Sequence, residues 1–251
     1  MKYAVITGAS KGLGESVAKL FLESGINVIG ISRSKSSTLP KHAEENHVQY
    51  QHFSCDLANM DELTDTFEKI EEEIYTEDLH AVYLVNNAGV VEPIDQAMNV
   101  SGSDLVKHYQ INTIAPMTLM NLFLKKSVEA DVPLYGANVT SGAAERATYG
   151  WSAYSSSKAS INMYTKTVAL EQAELKTDNK VIAFSPGIMD TDMQEKIRTS
   201  SQDQFTAVDT FKNYKEKNLL RDTDAVGGVL VDILTDEGIR NGEIYNVKDY
   251  L

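Results

Sequence analysis

Lys2-Tyr3-Ala4-Val5-Ile6-Thr7 and then Gly8-Ala9-Ser10-Lys11-Gly12-Leu13-Gly14 form an apolar run that turns on glycines directly into an amphipathic stretch, residues 12–24. Strand, glycine turn and helix in that order suit a pyrophosphate. Gly8 allows the tight turn, Gly12 lets backbone approach phosphate and Gly14 lets helix pack on strand, while the helix N-terminus offers unpaired N–H groups. A turn used only for packing is the plain alternative, and the position at the head of the first βαβ unit favours the binding reading.

Outward from this turn the chain keeps alternating. Residues 2–7, 27–32, 48–53, 81–86, 134–140, 180–185 and 242–247 read as strands. Residues 12–24, 60–75, a long stretch around 103–130, 152–175 and 224–234 read as helices. The pattern predicts an α/β fold: one doubly wound Rossmann domain over residues 1–251, with a parallel seven-stranded sheet and helices on both faces. Two stretches break the alternation. Residues 34–45, polar and interrupted by Pro40, are expected to be a surface excursion, and the charged residues 190–218 a substrate lid.

Composition narrows the partners. In 251 residues, 23 Lys plus Arg stand against 36 Asp plus Glu, a formal charge of -13 that disfavours nucleic acid and anionic lipid. A small phosphorylated ligand is not excluded, because a few placed cations outweigh a distant acidic surface. The single cysteine, Cys55, rules out an internal disulfide and reads as a small buried filler; the five histidines lack zinc-site spacing, so no metal is expected. MKYAVITGAS does not read as a signal peptide and no stretch is apolar enough to span a bilayer, so a cytoplasmic protein is expected.

The second strand ends Gly30-Ile31-Ser32-Arg33-Ser34, with no carboxylate for a ribose 2′-hydroxyl and with Arg33 able to fork onto a 2′-phosphate. Lys11, inside the glycine loop, is expected to place a second cation there. These residues point to NADP(H) rather than NAD.

Downstream, Asn138-Val139-Thr140-Ser141-Gly142-Ala143-Ala144 precedes Trp151-Ser152-Ala153-Tyr154-Ser155-Ser156-Ser157-Lys158. Tyr154 and Lys158, at i and i+4, share a helix face. Bringing a phenol near neutrality needs roughly 4 kcal/mol of preferential phenolate stabilisation, which Lys158 and a positive nicotinamide are expected to supply.

Taken together, these motifs resemble the short-chain dehydrogenase/reductase family. The match runs through the Thr7–Gly14 loop, Asp56-Leu57, Asn86-Asn87-Ala88-Gly89, Asn112 in QINTIAP, Ser141, Tyr154 with Lys158, and Pro186-Gly187 with Thr191. A closer resemblance, to benzil reductases and sepiapterin reductases, rests on SGAA (141–144), GWSAY (150–154), FSPGIMDTDMQ (184–194) and IRTSSQDQF (197–205).

The resemblance implies that Tyr154 protonates a carbonyl oxygen as hydride arrives, that Ser141 hydrogen-bonds the same oxygen, and that Asn112 holds a water linking Lys158 to solvent. Lys158 would also bind the nicotinamide ribose. Cofactor contacts would come from Gly8, Ser10, Lys11, Gly12, Leu13, Gly14, Arg33, Asp56, Leu57, Asn87, Ala88, Gly89, Tyr154, Lys158, Pro186, Gly187, Ile188, Met189 and Thr191. It further implies a homodimer or homotetramer.

Several of these residues also have structural readings. Asn86 and Asn87 equally suit ties between strands, Asn112 a kink before Pro116, and Trp151 either a pocket wall or core. The leading expectation is an NADPH-dependent reductase of a ketone or vicinal diketone, of the benzil-to-benzoin type. Alternatives are a pterin diketone reductase, with Asp190 or Asp192 as ring anchor, and a non-catalytic NADP-binding regulator.

Overall fold

A computed structural model describes every residue from Met1 to Leu251. Strands β1 (Lys2–Thr7), β2 (Asn27–Ile31), β3 (Tyr50–Phe53), β4 (Ala81–Asn86), β5 (Leu134–Val139), β6 (Lys180–Ser185) and β7 (Ile244–Asn246) form one sheet in the order β3-β2-β1-β4-β5-β6-β7. All neighbours are parallel. The strand order reverses beside β1, and a cleft opens at that point in doubly wound sheets.

Both faces of the sheet are apolar because alternate residues of each strand feed different cores. Ala4 and Ile6 join one buried cluster, packed under α1 (Gly12–Glu23) and α9 (Thr223–Thr235); Tyr3 and Val5 join the other, under α3 (Met60–Ile74) and α5 (Ala115–Ala130). Helix α3 starts where Asn59 caps it, its side chain accepting the N–H groups of Asp61 and Glu62. The edge strands β3 and β7 are shorter than expected, starting at Tyr50 and Ile244 rather than at residues 48 and 242. Each has a ladder partner on only one side.

Residues 34–45 are not a loose excursion. Leu39–Glu45 form α2, with Leu39 and Ala43 buried in the first core. Ser36 and Thr38 both donate to Glu15 Oε1, at 2.6 and 2.8 Å, which ties the segment to α1. Pro40 lies in the first turn of α2, where a missing N–H has no partner to lose.

The long helix expected around residues 103–130 is broken as well. It runs as α4 (Gly102–Tyr109), a π turn over Gln110–Ile114, and α5. Pro116 has no N–H for the carbonyl of Asn112, so the α pattern fails there and the wider turn takes over.

Between β6 and α9, residues 190–218 carry α7 (Asp192–Arg198) and α8 (Val208–Glu216). Phe205, Val208 and Ile197 bury themselves against Trp151, Tyr154, Ala143 and Val91 in a third, separate cluster. Gly150 is required here: its φ is +84°, and a Cβ would stand 2.2 Å from the carbonyl oxygen of Gln204. Ion pairs Lys11–Asp192, Lys196–Glu92 and Lys215–Asp190 run along the same segment.

Candidate active site

A cleft of about 1640 Å³ lies at the carboxyl ends of the strands. Every site residue expected from the sequence lines it except Gly14 and Asn112, which stand behind its wall. Gly14 is there for packing: a Cβ would fall 2.3 Å from the Gly8 carbonyl oxygen and 2.4 Å from Asn87 Nδ2. Gly8, at φ +70°, makes the turn itself.

Asn86 and Asn87 tie strands together. Asn86 Nδ2 donates to Asn138 Oδ1, its register partner on β5, and to the Pro116 carbonyl, both at 3.0 Å. Asn87 Nδ2 donates to the Thr7 carbonyl at 3.0 Å. These bonds hold the ends of β1, β4 and β5 at fixed spacing below the cleft. Asp56 has a local task too, its Oδ1 accepting the N–H of Ala58 at 3.0 Å.

At the glycine-turn end, Arg33 is exposed on the cleft rim and makes no ion pair. Lys11, expected beside Arg33, instead pairs with Asp192 at the start of α7. Asp190 pairs with Lys215. Both carboxylates named as pterin anchors are therefore already engaged by lysines.

At the other end, Ser141, Tyr154 and Lys158 converge. Ser141 follows β5 and Tyr154 and Lys158 share the inner face of α6 (Ser152–Glu174). Ser141 Oγ accepts the N–H of Ala143 at 3.2 Å, which leaves its own proton to donate elsewhere. Lys158 Nζ donates to the Val139 carbonyl at 2.9 Å and stands 5.9 Å from the centre of the Tyr154 ring.

Burial pushes the Tyr154 phenol up, and the Ser141 hydroxyl beside it pulls it partly back. Burial also pushes Lys158 down to about 8. Desolvation is the larger influence on both groups, since Tyr154 and Lys158 are each buried. The protein thus favours a protonated phenol, the form in which Tyr154 is an acid.

Trp151 is both core and wall. It lines the cleft, lies 5.2 Å centre to centre from Tyr154, and stacks on Phe205 at 4.8 Å. Phe211 packs edge-on to both, 5.5 Å from Trp151 and 5.4 Å from Phe205, and lines the cleft with Trp151 while Phe205 backs them from the core. Sequence reasoning did not identify Phe205 or Phe211, since neither has a local signal. It also passed over His108, four residues before Asn112, although that spacing puts both on one helix face.

Asn112 sits behind Gly89. Its Oδ1 accepts the N–H of Val90 at 2.8 Å and its Nδ2 donates to the Val90 carbonyl at 2.7 Å. A Cβ on Gly89 would fall 3.2 Å from Asn112 Oδ1 and 3.7 Å from Lys158 Nζ. The bare glycine therefore keeps open a space that both polar groups border. With the glycine turn across the cleft, this open ground fits an extended dinucleotide.

Among the chain's helices none is long and apolar enough to cross a membrane, and no group of acidic, His or Cys side chains is arranged to hold a metal.

Comparison with known proteins agrees with the fold. The chain is 39% identical over 251 residues to a benzil reductase ((S)-benzoin forming) of Bacillus subtilis (strain 168), covering all of both chains. It is 34% identical over 249 residues to a benzil reductase ((S)-benzoin forming) of Bacillus cereus, covering 99% of this chain and 100% of the other. The crystal structure of the YIR035C short chain dehydrogenase/reductase from Saccharomyces cerevisiae superposes with a TM-score of 0.83 at 26% identity, covering 100% and 97% of the two chains. A family profile described as short chain dehydrogenase matches residues 2–202. With that match across most of the chain, on a seven-stranded parallel sheet with its cleft at the strand-order reversal, the protein belongs to the short chain dehydrogenase family.

Proposed function

We propose that this protein is an NADPH-dependent carbonyl reductase that converts a ketone or vicinal diketone to the alcohol, in the manner of benzil to benzoin. The observation that carries this reading is the pair of hydroxyl donors, Ser141 and Tyr154, on the cleft wall against an aromatic surface, with a buried Lys158 beside them. Identity to benzil reductases supports the substrate class.

The nicotinamide, when bound, supplies the hydride. Tyr154 gives its proton to the carbonyl oxygen, and its raised pKa keeps that proton on the phenol at neutral pH until the oxygen takes it. Ser141 hydrogen-bonds the same oxygen, so that two donors fixed in advance meet the developing negative charge. Lys158 holds the ribose hydroxyls, and Asn112 orients the water that returns a proton from solvent. The glycine turn with Ser10 and Leu13 would hold the pyrophosphate. Asp56 and Leu57 would hold the adenine, Asn87, Ala88 and Gly89 the adenosine ribose, and Pro186, Gly187, Ile188, Met189 and Thr191 the carboxamide. Residues 190–218 act as the lid, and Lys11 acts through Asp192 to draw α7 toward the glycine turn. The protein works as a homodimer or homotetramer.

The test is direct: purified protein with NADPH and benzil should consume the reduced cofactor and release benzoin. Failure to turn over any member of a ketone and diketone panel would overturn the proposal. A pterin diketone has less support, because Asp190 and Asp192 are each held by a lysine.

Arg33 carries the cofactor preference. Arg33→Asp should raise KM for NADPH relative to NADH by at least ~10-fold, a loss of about 1.4 kcal/mol that a charge-assisted contact readily accounts for. An unchanged ratio of the two kcat/KM values would remove Arg33 from the 2′-phosphate site.

A further inference from the structure

His108 is buried, lies behind the reacting groups and is tied into three separate elements. Its Nδ1 is 2.7 Å from the carbonyl oxygen of Glu92, and its Nε2 is 3.0 Å from both Asn112 Nδ2 and Ser157 Oγ. Its ring meets that of Tyr154 edge-on at 6.3 Å between centres. The side chain of Glu92 in turn pairs with Lys196 on α7.

The hydrogen-bond roles in this cluster are determined by the backbone. Val90 must donate through its N–H and accept through its carbonyl, so Asn112 can have only one amide orientation: oxygen to the Val90 N–H, nitrogen to the Val90 carbonyl. The remaining Nδ2 proton then points at His108 Nε2, which must present a lone pair. Nδ1 consequently carries the ring proton and donates it to Glu92. Ser157 gives its own proton to the Tyr154 carbonyl at 2.8 Å, and leaves an oxygen facing Nε2.

We propose that His108, as the neutral Nδ1–H tautomer, is the positioning residue that holds the Asn112 carboxamide in register with Val90 and Lys158, and that a proton on Nε2 releases it. Protonation sets Nε2–H against the N–H of Asn112 while offering Ser157 a hydrogen bond in its place. The ring then favours α6 over the π turn, and Asn112 is left with only its two bonds to Val90.

The charged and titratable groups around the ring are Lys158 and Tyr154 on α6, Glu92 with its partner Lys196, and Tyr109 on its own helix. Burial first, and then the Lys158 ammonium, lower the affinity of His108 for a proton, against the backbone carbonyls of Glu92 and Ala153 and the charge of Glu92. The neutral form therefore persists through neutral pH and is lost only as pH falls below the usual histidine range.

This inference rests on the reductase reading for its kinetic arm, and a spectroscopic arm is independent of turnover. With benzil and NADPH, wild-type kcat should fall on the acid side through one ionisation. His108→Gln, whose oxygen accepts from Asn112 but takes no proton, should keep neutral kcat within ~3-fold and lose that ionisation. His108→Leu should cut kcat ~10- to 100-fold at every pH, the usual scale for a misplaced group, with NADPH affinity little changed. An acid limb that persists in a folded His108→Gln, or wild-type kcat in His108→Leu, would overturn the proposal. Ring nitrogen shifts of His108, identified by their disappearance in His108→Gln, should report Nδ1–H; an Nε2–H tautomer would overturn it even if no ketone is reduced.

Discussion

Tyr154→Phe is expected to lower kcat for ketone reduction by ~10²- to 10⁴-fold, the span a positioned general acid contributes, while NADPH affinity changes little. The substitution removes one oxygen from a ring already packed edge-on against Trp151 and His108. No cavity of consequence opens, and the burial of the ring is kept, so stability is not the reason activity falls. The protonated phenol is the state the protein favours, through desolvation of a side chain only 7% exposed. The loss should therefore appear in kcat with KM for the cofactor unmoved, the signature of an interaction made only as charge develops on the carbonyl oxygen. A Tyr154→Phe enzyme within ~3-fold of wild type would mean the proton comes from elsewhere in the cleft.

Gly14→Ala should be among the most damaging single methyls in the chain. The Cβ would stand 2.3 Å from the Gly8 carbonyl oxygen, 2.4 Å from Asn87 Nδ2 and 2.9 Å from the Gly8 carbonyl carbon. Two of these three atoms belong to backbone at the end of β1, and the third is a side chain that holds β4 to β1. Nothing there yields without moving the turn. The expected cost is about 3 kcal/mol, the upper end for overpacking, which lowers Tm by roughly 10 °C in a protein of this size. Because the displaced atoms are the phosphate turn itself, NADPH affinity should fall with stability. A variant that melts within ~2 °C of wild type and binds NADPH normally would show that α1 can slide away from β1.

How much of this was legible beforehand differs from place to place. The glycine turn, the seven apolar runs and the i, i+4 pair of Tyr154 and Lys158 are local patterns, and the structure contains each of them, with the two edge strands shorter than read. Local pattern failed where a residue's partner is remote. Residues 34–45 look like a polar loop until Glu15, more than twenty positions earlier, collects Ser36 and Thr38. Lys11 has a partner that no local pattern shows, Asp192 from the far end of the chain. The breaks in the long helix follow from Pro116, whose effect is visible in sequence, although the π turn that results is not.

The amino-acid sequence by itself determined the layered α/β fold, the glycine turn that opens the cleft, and the i, i+4 spacing of Tyr154 and Lys158, because periodicity and short spacings are properties of neighbouring residues. Only the tertiary structure decided the burial that raises the Tyr154 pKa, the pairing of Lys11 with Asp192, the packing of Phe205 and Phe211 on Trp151, and the seating of His108 on Asn112. Each of these depends on burial or on contact between residues distant in the chain or brought face to face across a turn, and neither desolvation nor such contact exists until the sheet has assembled.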